Sequence, residues 1–139
     1  MRKITFYVAV LINAVLVSIV SLSQVNKVEA IGITVKDMNR SLTFYTRVLG
    51  FKKISDAEFH GDQIETLKGL FGINLRVVRL QLGDEFIELT DYLTTGGHSI
   101  PEDQKSNDLF FQHIAIVVSD MDKAYHQLKN HNVEHVSTA

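Results

Sequence analysis

The stretch ITVKDMNRSLTFYTRVLGF, residues 33–51, changes its periodicity in the middle. Ile33 and Val35 alternate with polar neighbours, as in a strand with one buried face. From Met38 onward the apolar residues Met38, Leu42, Tyr45, Val48 and Leu49 recur at three-to-four spacing, as on one face of a helix. Asp37 stands at the junction, where its carboxylate can accept from first-turn amides that have no helical partner. Gly50 follows the last apolar turn, where a helix C-cap favours glycine. The reading is a strand that passes through an Asp cap into an amphipathic helix.

The same arrangement returns later. IGITVKDMNRSLTFY (residues 31–45) aligns with IAIVVSDMDKAYHQL (residues 114–128) at an offset of 83 residues. Ile31, Ile33, Val35, Asp37 and Met38 fall on Ile114, Ile116, Val118, Asp120 and Met121, and in the second helix Met121, Ala124, Tyr125 and Leu128 form the apolar face. After the first helix, alternation predicts strands near Lys52 to Phe59, in NLRVVRLQL and in EFIELTDY, the last two joined by a tight Gly83-Asp84 turn. Unit one is therefore β-α-β-β-β. The polar stretch TTGGHSIPEDQKSND, with the sole proline, reads as a connecting loop. Module one spans residues 28–93, the linker 94–108 and a partial module two 109–139, whose remaining strands would fall beyond Ala139, so the second module reads as truncated.

Composition narrows the function. A formal charge of −2 and no basic stripe interleaved with aromatics argue against nucleic acid as a partner. The absence of cysteine removes disulfides, thiolate metal sites and cysteine nucleophiles. No glycine-rich phosphate loop or nucleophile elbow occurs. Residues 1–24 place Arg2 and Lys3 before an uncharged run from Ile4 to Val20, with Ser21-Leu22-Ser23 as a small-x-small cleavage site. That is the layout of a signal peptide and predicts a periplasmic or secreted protein; the alternative is an uncleaved hydrophobic membrane anchor facing outside the cytoplasm. Residues 25–139 form the domain.

Paired β-α-β-β-β units with VKDMNRSLTFYTRVLGF in the first and a restart at FFQHIAIVVSDMDKAY resemble the vicinal oxygen chelate (VOC) superfamily, which includes glyoxalase, bleomycin resistance proteins and extradiol dioxygenases. The resemblance implies an α+β fold of paired glyoxalase-like modules curved around a cleft. It also implies a divalent metal ion (Zn, Ni, Fe or Mn) held by the first and last strands of each unit, and a small oxygen-rich substrate chelated by that ion in a lyase, isomerase or dioxygenase reaction. Strand parity tests which residues could serve. Ile87 and Leu89 would face the helix and Glu88 the cleft; Ile114 and Ile116 would face the helix and His113 the cleft, so Glu88 and His113 are the candidate metal ligands.

The repeat puts Ala30 opposite His113, and alanine cannot bind a metal. Two protein ligands are fewer than the three usual in a catalytic site. Glu29, next to Ala30, has the wrong parity to replace it without a bulge. A metal-free small-molecule-binding protein of the resistance type, or an inactive truncated member, is the alternative function. A single strand-edge histidine is more often a hydrogen-bonded structural residue, and a strand carboxylate more often half-exposed and solvated. His60, His98, His126, His131 and His135 read as solvated, with His60 and His98 the ones to reconsider. Arg76 and Arg79 read as ion-paired or solvated, with Arg79 on the cleft side. An open sheet edge would allow a homodimer.

Overall fold

The computed structural model describes residues 26–109 and 113–134. The leader, including the signal-peptide reading of residues 1–24, lies outside them. The described elements are β1 (Ile31–Val35), α1 (Met38–Thr43, continued by a π-helical turn over Phe44–Val48), β2 (Lys52–His60), α2 (Asp62–Lys68), β3 (Asn74–Leu82), β4 (Glu85–Tyr92) and α3 (Met121–Asn130). One sheet of order β1-β4-β3-β2 carries them. β1 runs parallel to β4, while the two pairs within β2-β3-β4 are antiparallel. The α+β class is as expected, and the four strands and first helix of module one follow in the expected order, with α2 added between β2 and β3.

The register puts alternate residues on two different faces. Val78 lies opposite Leu89, Leu80 opposite Ile87, and Ile33 opposite Leu89. These side chains share the face covered by α1, where Met38, Phe51, Val78, Leu80, Ile87 and Leu89 form the buried cluster. Each large aliphatic side chain fully removed from water there stabilises the fold by about 1.5–3 kcal/mol. The opposite face carries Arg79, Phe86, Glu88 and Thr90, none of them fully buried.

Both Asp caps have the same geometry. Asp37 (φ −142°, ψ 105°) accepts from the Arg40 amide at 3.0 Å, and Asp120 (φ −144°, ψ 106°) accepts from the Lys123 amide at 2.9 Å. A second carboxylate serves α1, since Asp91 Oδ2 accepts from the Met38 amide at 3.1 Å and ties the helix start to the end of β4. Two carboxylates at this N-terminus also suit the positive end of the helix dipole.

α1 ends more loosely than its spacing predicts. Thr43 and Thr46 each donate a hydroxyl hydrogen bond to the carbonyl four residues back, and the Leu49 amide reaches Phe44, five residues back. The widened turn leads through Gly50, at φ +80°, into Phe51. There Tyr45 meets Phe51 edge to face at 5.5 Å.

Three features depart from expectation. The short α2 was not foreseen; a glycine precedes it and Gly69, at φ +67°, caps its end. Residues 113–118 form no strand, although their alternation predicts one. β1 earns its ladder by pairing with β4, and residues 113–118 have no such ladder partner among the described residues. Met121, the counterpart of Met38, is 70% exposed whereas Met38 is 2% exposed, because no sheet of the second unit covers it among the described residues. Module two instead leans on module one: Ile114 packs against the core cluster, and Gln127 Nε2 donates to the Val48 carbonyl at 2.7 Å.

Candidate functional site

Glu88 sits between buried Ile87 and Leu89, so the pleat turns its carboxylate to the opposite face, which no element covers among the described residues. Directly across the hairpin is Arg79. A two-residue turn at Gly83-Asp84 fixes that register, since Leu82 must pair with Glu85, and counting back from it brings Arg79 to Glu88. Opposite charges placed across an antiparallel pair attract. Arg79 Nη1 donates to Glu88 Oε1 at 3.2 Å, and Arg79 Nη2 donates to Glu29 Oε1 at 2.6 Å and to the Glu29 carbonyl at 3.3 Å. The guanidinium also lies 4.4 Å over the ring of Phe86.

Glu29 reaches the open face without a bulge. Residues 26–30 precede β1 and are not pleated, so alternation does not dictate where Glu29 points. Its side chain joins Arg79, and Lys27 Nζ closes on its other oxygen at 2.6 Å. Hydrogen bonds first from Lys27 and then from Arg79 hold the Glu29 carboxyl below the usual carboxylate range. The open-face row is thus a chain of alternating charge, from Lys27 through Glu29 and Arg79 to Glu88. Lys27 and Glu29 are exposed, so water screens most of this chain.

His113 lies elsewhere. It is exposed and lines a cavity of about 500 Å³ with Ile31, Ile33, Tyr45, Leu49 and Ile114, a wall in which Glu88 has no part. The absence of a strand over residues 113–118 removes the parity that would have aimed it at Glu88. His60 and His98 are exposed, His131 Nδ1 is 2.8 Å from the Gln127 carbonyl, and the His126 ring stands 6.2 Å from that of Tyr125. His135 lies outside the described residues.

On the helix side of the sheet a second ionic group fastens α1. Arg76 clasps Asp56 through Nε and Nη2, both at 2.9 Å, and reaches Asn39 Oδ1 at 3.2 Å. Lys53 adds a bond to Asp56 at 2.9 Å, and the Asp56 carboxyl is held far below its ordinary range, chiefly by the hydrogen bonds from Arg76 and then Lys53. Both arginines are ion-paired, as the sequence predicts. The roles of Asp91 and Gln127 had no local signal, because each acts on an element far away along the chain.

A β-α-β-β-β module with a short α2 inserted before β3, a carboxylate on its open face and a second Asp-capped helix with the same cap geometry is the arrangement of a glyoxalase-type protein. The sequence profile of the Glyoxalase/Bleomycin resistance protein/Dioxygenase superfamily matches residues 27–139, and the chain belongs to that superfamily. Among solved structures, a glyoxalase family protein from Bacillus cereus is similar with a TM-score of 0.71 at 19% identity, over 84% of this chain and 80% of that one. The trypanothione-dependent glyoxalase I of Leishmania major gives 0.54 at 22% identity, over 78% and 68%. The fosfomycin resistance protein FosX of Listeria monocytogenes, in complex with Mn(II) and sulfate, gives 0.53 at 18% identity, over 80% and 75%. These likenesses concern the fold. No curated protein sequence matches the chain.

The superfamily resemblance implies a divalent ion, and the described residues do not fit one. No three His, Asp or Glu side chains gather where they could hold it among the described residues. Glu88 shares an oxygen with Arg79, and Ala30 offers no donor.

Proposed function

We propose that the chain is a small-molecule-binding member of its superfamily whose ligand lies on the open face of the sheet, against Phe86, Glu88, Thr90 and Arg79. The observation that carries this reading is the bond from Arg79 to Glu88, which leaves a fixed, polarised patch beside an aromatic ring. Apolar surface with a few oriented polar groups is what small-ligand sites are made of. The Arg79 donors not engaged by Glu29 and Glu88 can meet an oxygen of the ligand, and Thr90 can supply a hydroxyl. In an EDTA-treated solution of the chain, small hydroxy- and phosphonocarboxylates are expected to shift the amide resonances of Val77, Phe86 and Thr90. Shifts confined to α1 or α3 would rule out this face.

A second reading keeps the metal-dependent lyase, isomerase or dioxygenase chemistry with Glu88 as one ligand, its other ligands supplied from outside the described residues, since His113 lies on a different wall. Its support is the place of Glu88 in the middle of the uncovered face, between two buried neighbours. Elemental analysis separates the two readings. A stoichiometric divalent ion that disappears on Glu88→Ala selects the metal-dependent one.

Export is proposed as well, on Arg2, Lys3 and the uncharged run from Ile4 to Val20. Amino-terminal sequencing of the protein from a periplasmic extract is expected to begin after Ser23. Full-length chain found only in the cytoplasmic fraction would refute it.

A further inference from the structure

We infer that Arg79 takes the place of the ion: its guanidinium holds the Glu88 carboxylate and so keeps divalent metal off the open face. This rests on the metal-free reading above and names the residue responsible for it. Arg79 meets three oxygens, namely Glu29 Oε1, the Glu29 carbonyl and Glu88 Oε1, at 2.6, 3.3 and 3.2 Å. Two carboxylates and a carbonyl are hard donors, of the type that suits Mn²⁺, Mg²⁺ or Ca²⁺ with water completing the shell. In this chain all three converge on a single monovalent cation.

Displacing that cation is unfavourable for several reasons together. An entering ion must break charge-assisted bonds at both carboxylates, and the planar guanidinium fork is matched to carboxylates. It must also separate Arg79 from the Phe86 ring, which lies 4.4 Å away. A guanidinium remains protonated at any working pH, so the ion would meet a fixed positive charge wherever Arg79 moved within the patch. Lys27 on the far oxygen of Glu29 adds a second. The side chain of Arg79 is 23% exposed, so water screens these charges only in part.

The test uses the full chain stripped with EDTA and titrated with MnCl₂, following free Mn(II) by its electron paramagnetic resonance signal. Wild type is expected to leave the signal unreduced. Arg79→Met, which keeps an apolar stem over Phe86, is expected to bind Mn(II) at least about tenfold more tightly than wild type, or ~1.4 kcal/mol. Glu88→Gln in that background is expected to cancel the gain, and Arg79→Lys, which keeps the charge, to behave as wild type.

Uptake by wild type that Glu88→Gln abolishes would overturn both this inference and the metal-free reading. A folded Arg79→Met with no added uptake, or Arg79→Lys with as much uptake as Arg79→Met, would overturn this inference alone. If Arg79→Met loses its circular dichroism signature, Arg79→Gln supplies the same comparison, since its amide still donates to the carboxylates without a charge.

Discussion

Leu89→Ala probes the support beneath the open face. Leu89 is 0% exposed, in the middle of β4, with Ile33 beside it on β1 and Val78 on β3. Truncation removes three carbons, worth roughly 2.4 kcal/mol at ~0.8 kcal/mol for each buried CH₂. Strands on both sides prevent full collapse of the space, so a cavity contribution of about 1 kcal/mol adds to it, for a total of about 3–4 kcal/mol. That is a large part of the stability of a small domain, ordinarily about 5–15 kcal/mol. With a urea slope near ~1.5 kcal/mol/M, the unfolding midpoint should fall by about 2 M. Leu67→Ala, at a side chain 76% exposed on α2, is the control and should move stability by no more than about 0.5 kcal/mol. A Leu89→Ala loss below about 1 kcal/mol, or one equal to that of the control, would refute the packing described for this face.

Other perturbations test the caps and ion pairs. Asp37→Ala should cost about 1 kcal/mol by urea unfolding, because it orphans the Arg40 amide at the start of α1. The Asp56 carboxyl is depressed in the folded chain, so its contribution to stability is complete above its unfolded value of about 4 and is lost as the pH falls below that. Asp56→Asn should accordingly flatten the acid limb of a stability-pH profile while leaving the slope above about pH 6 unchanged. Gln127→Leu removes the bond to the Val48 carbonyl, and hydrogen exchange of the α3 amides should quicken by roughly 5-fold, as loss of ~1 kcal/mol of docking energy would produce.

Most of module one was legible because its signals are local. The alternation in β3 and β4 located both strands, and a two-residue turn fixed their pairing. Asp37 and Asp120 announced two helix starts that the structure makes almost superposable. What the sequence did not disclose depends on partners far along the chain. Residues 113–118 have the pattern of a strand, but pattern supplies only one side of a ladder. Parity excludes Glu29 only where the backbone is pleated, and Glu29 lies before the pleat begins. Arg79 was placed on the correct face, yet its bond to Glu88 required counting the hairpin register as well as parity. The seven residues of α2 bury no side chain, which left little periodicity to detect; the flanking Gly61 and Gly69 were the available signal.

Among the described residues β2 forms one border of the sheet and exposes all nine of its residues. A border strand is a template onto which another chain can add, and this one is poorly suited to that use. Lys52, Lys53, Asp56 and Glu58 would have to be stripped of water or matched charge for charge, and the irregularity between Lys53 and Ser55 breaks the even spacing that an incoming strand needs. The same Lys53 and Asp56 that help to fasten α1 therefore also make strand addition at this border unfavourable.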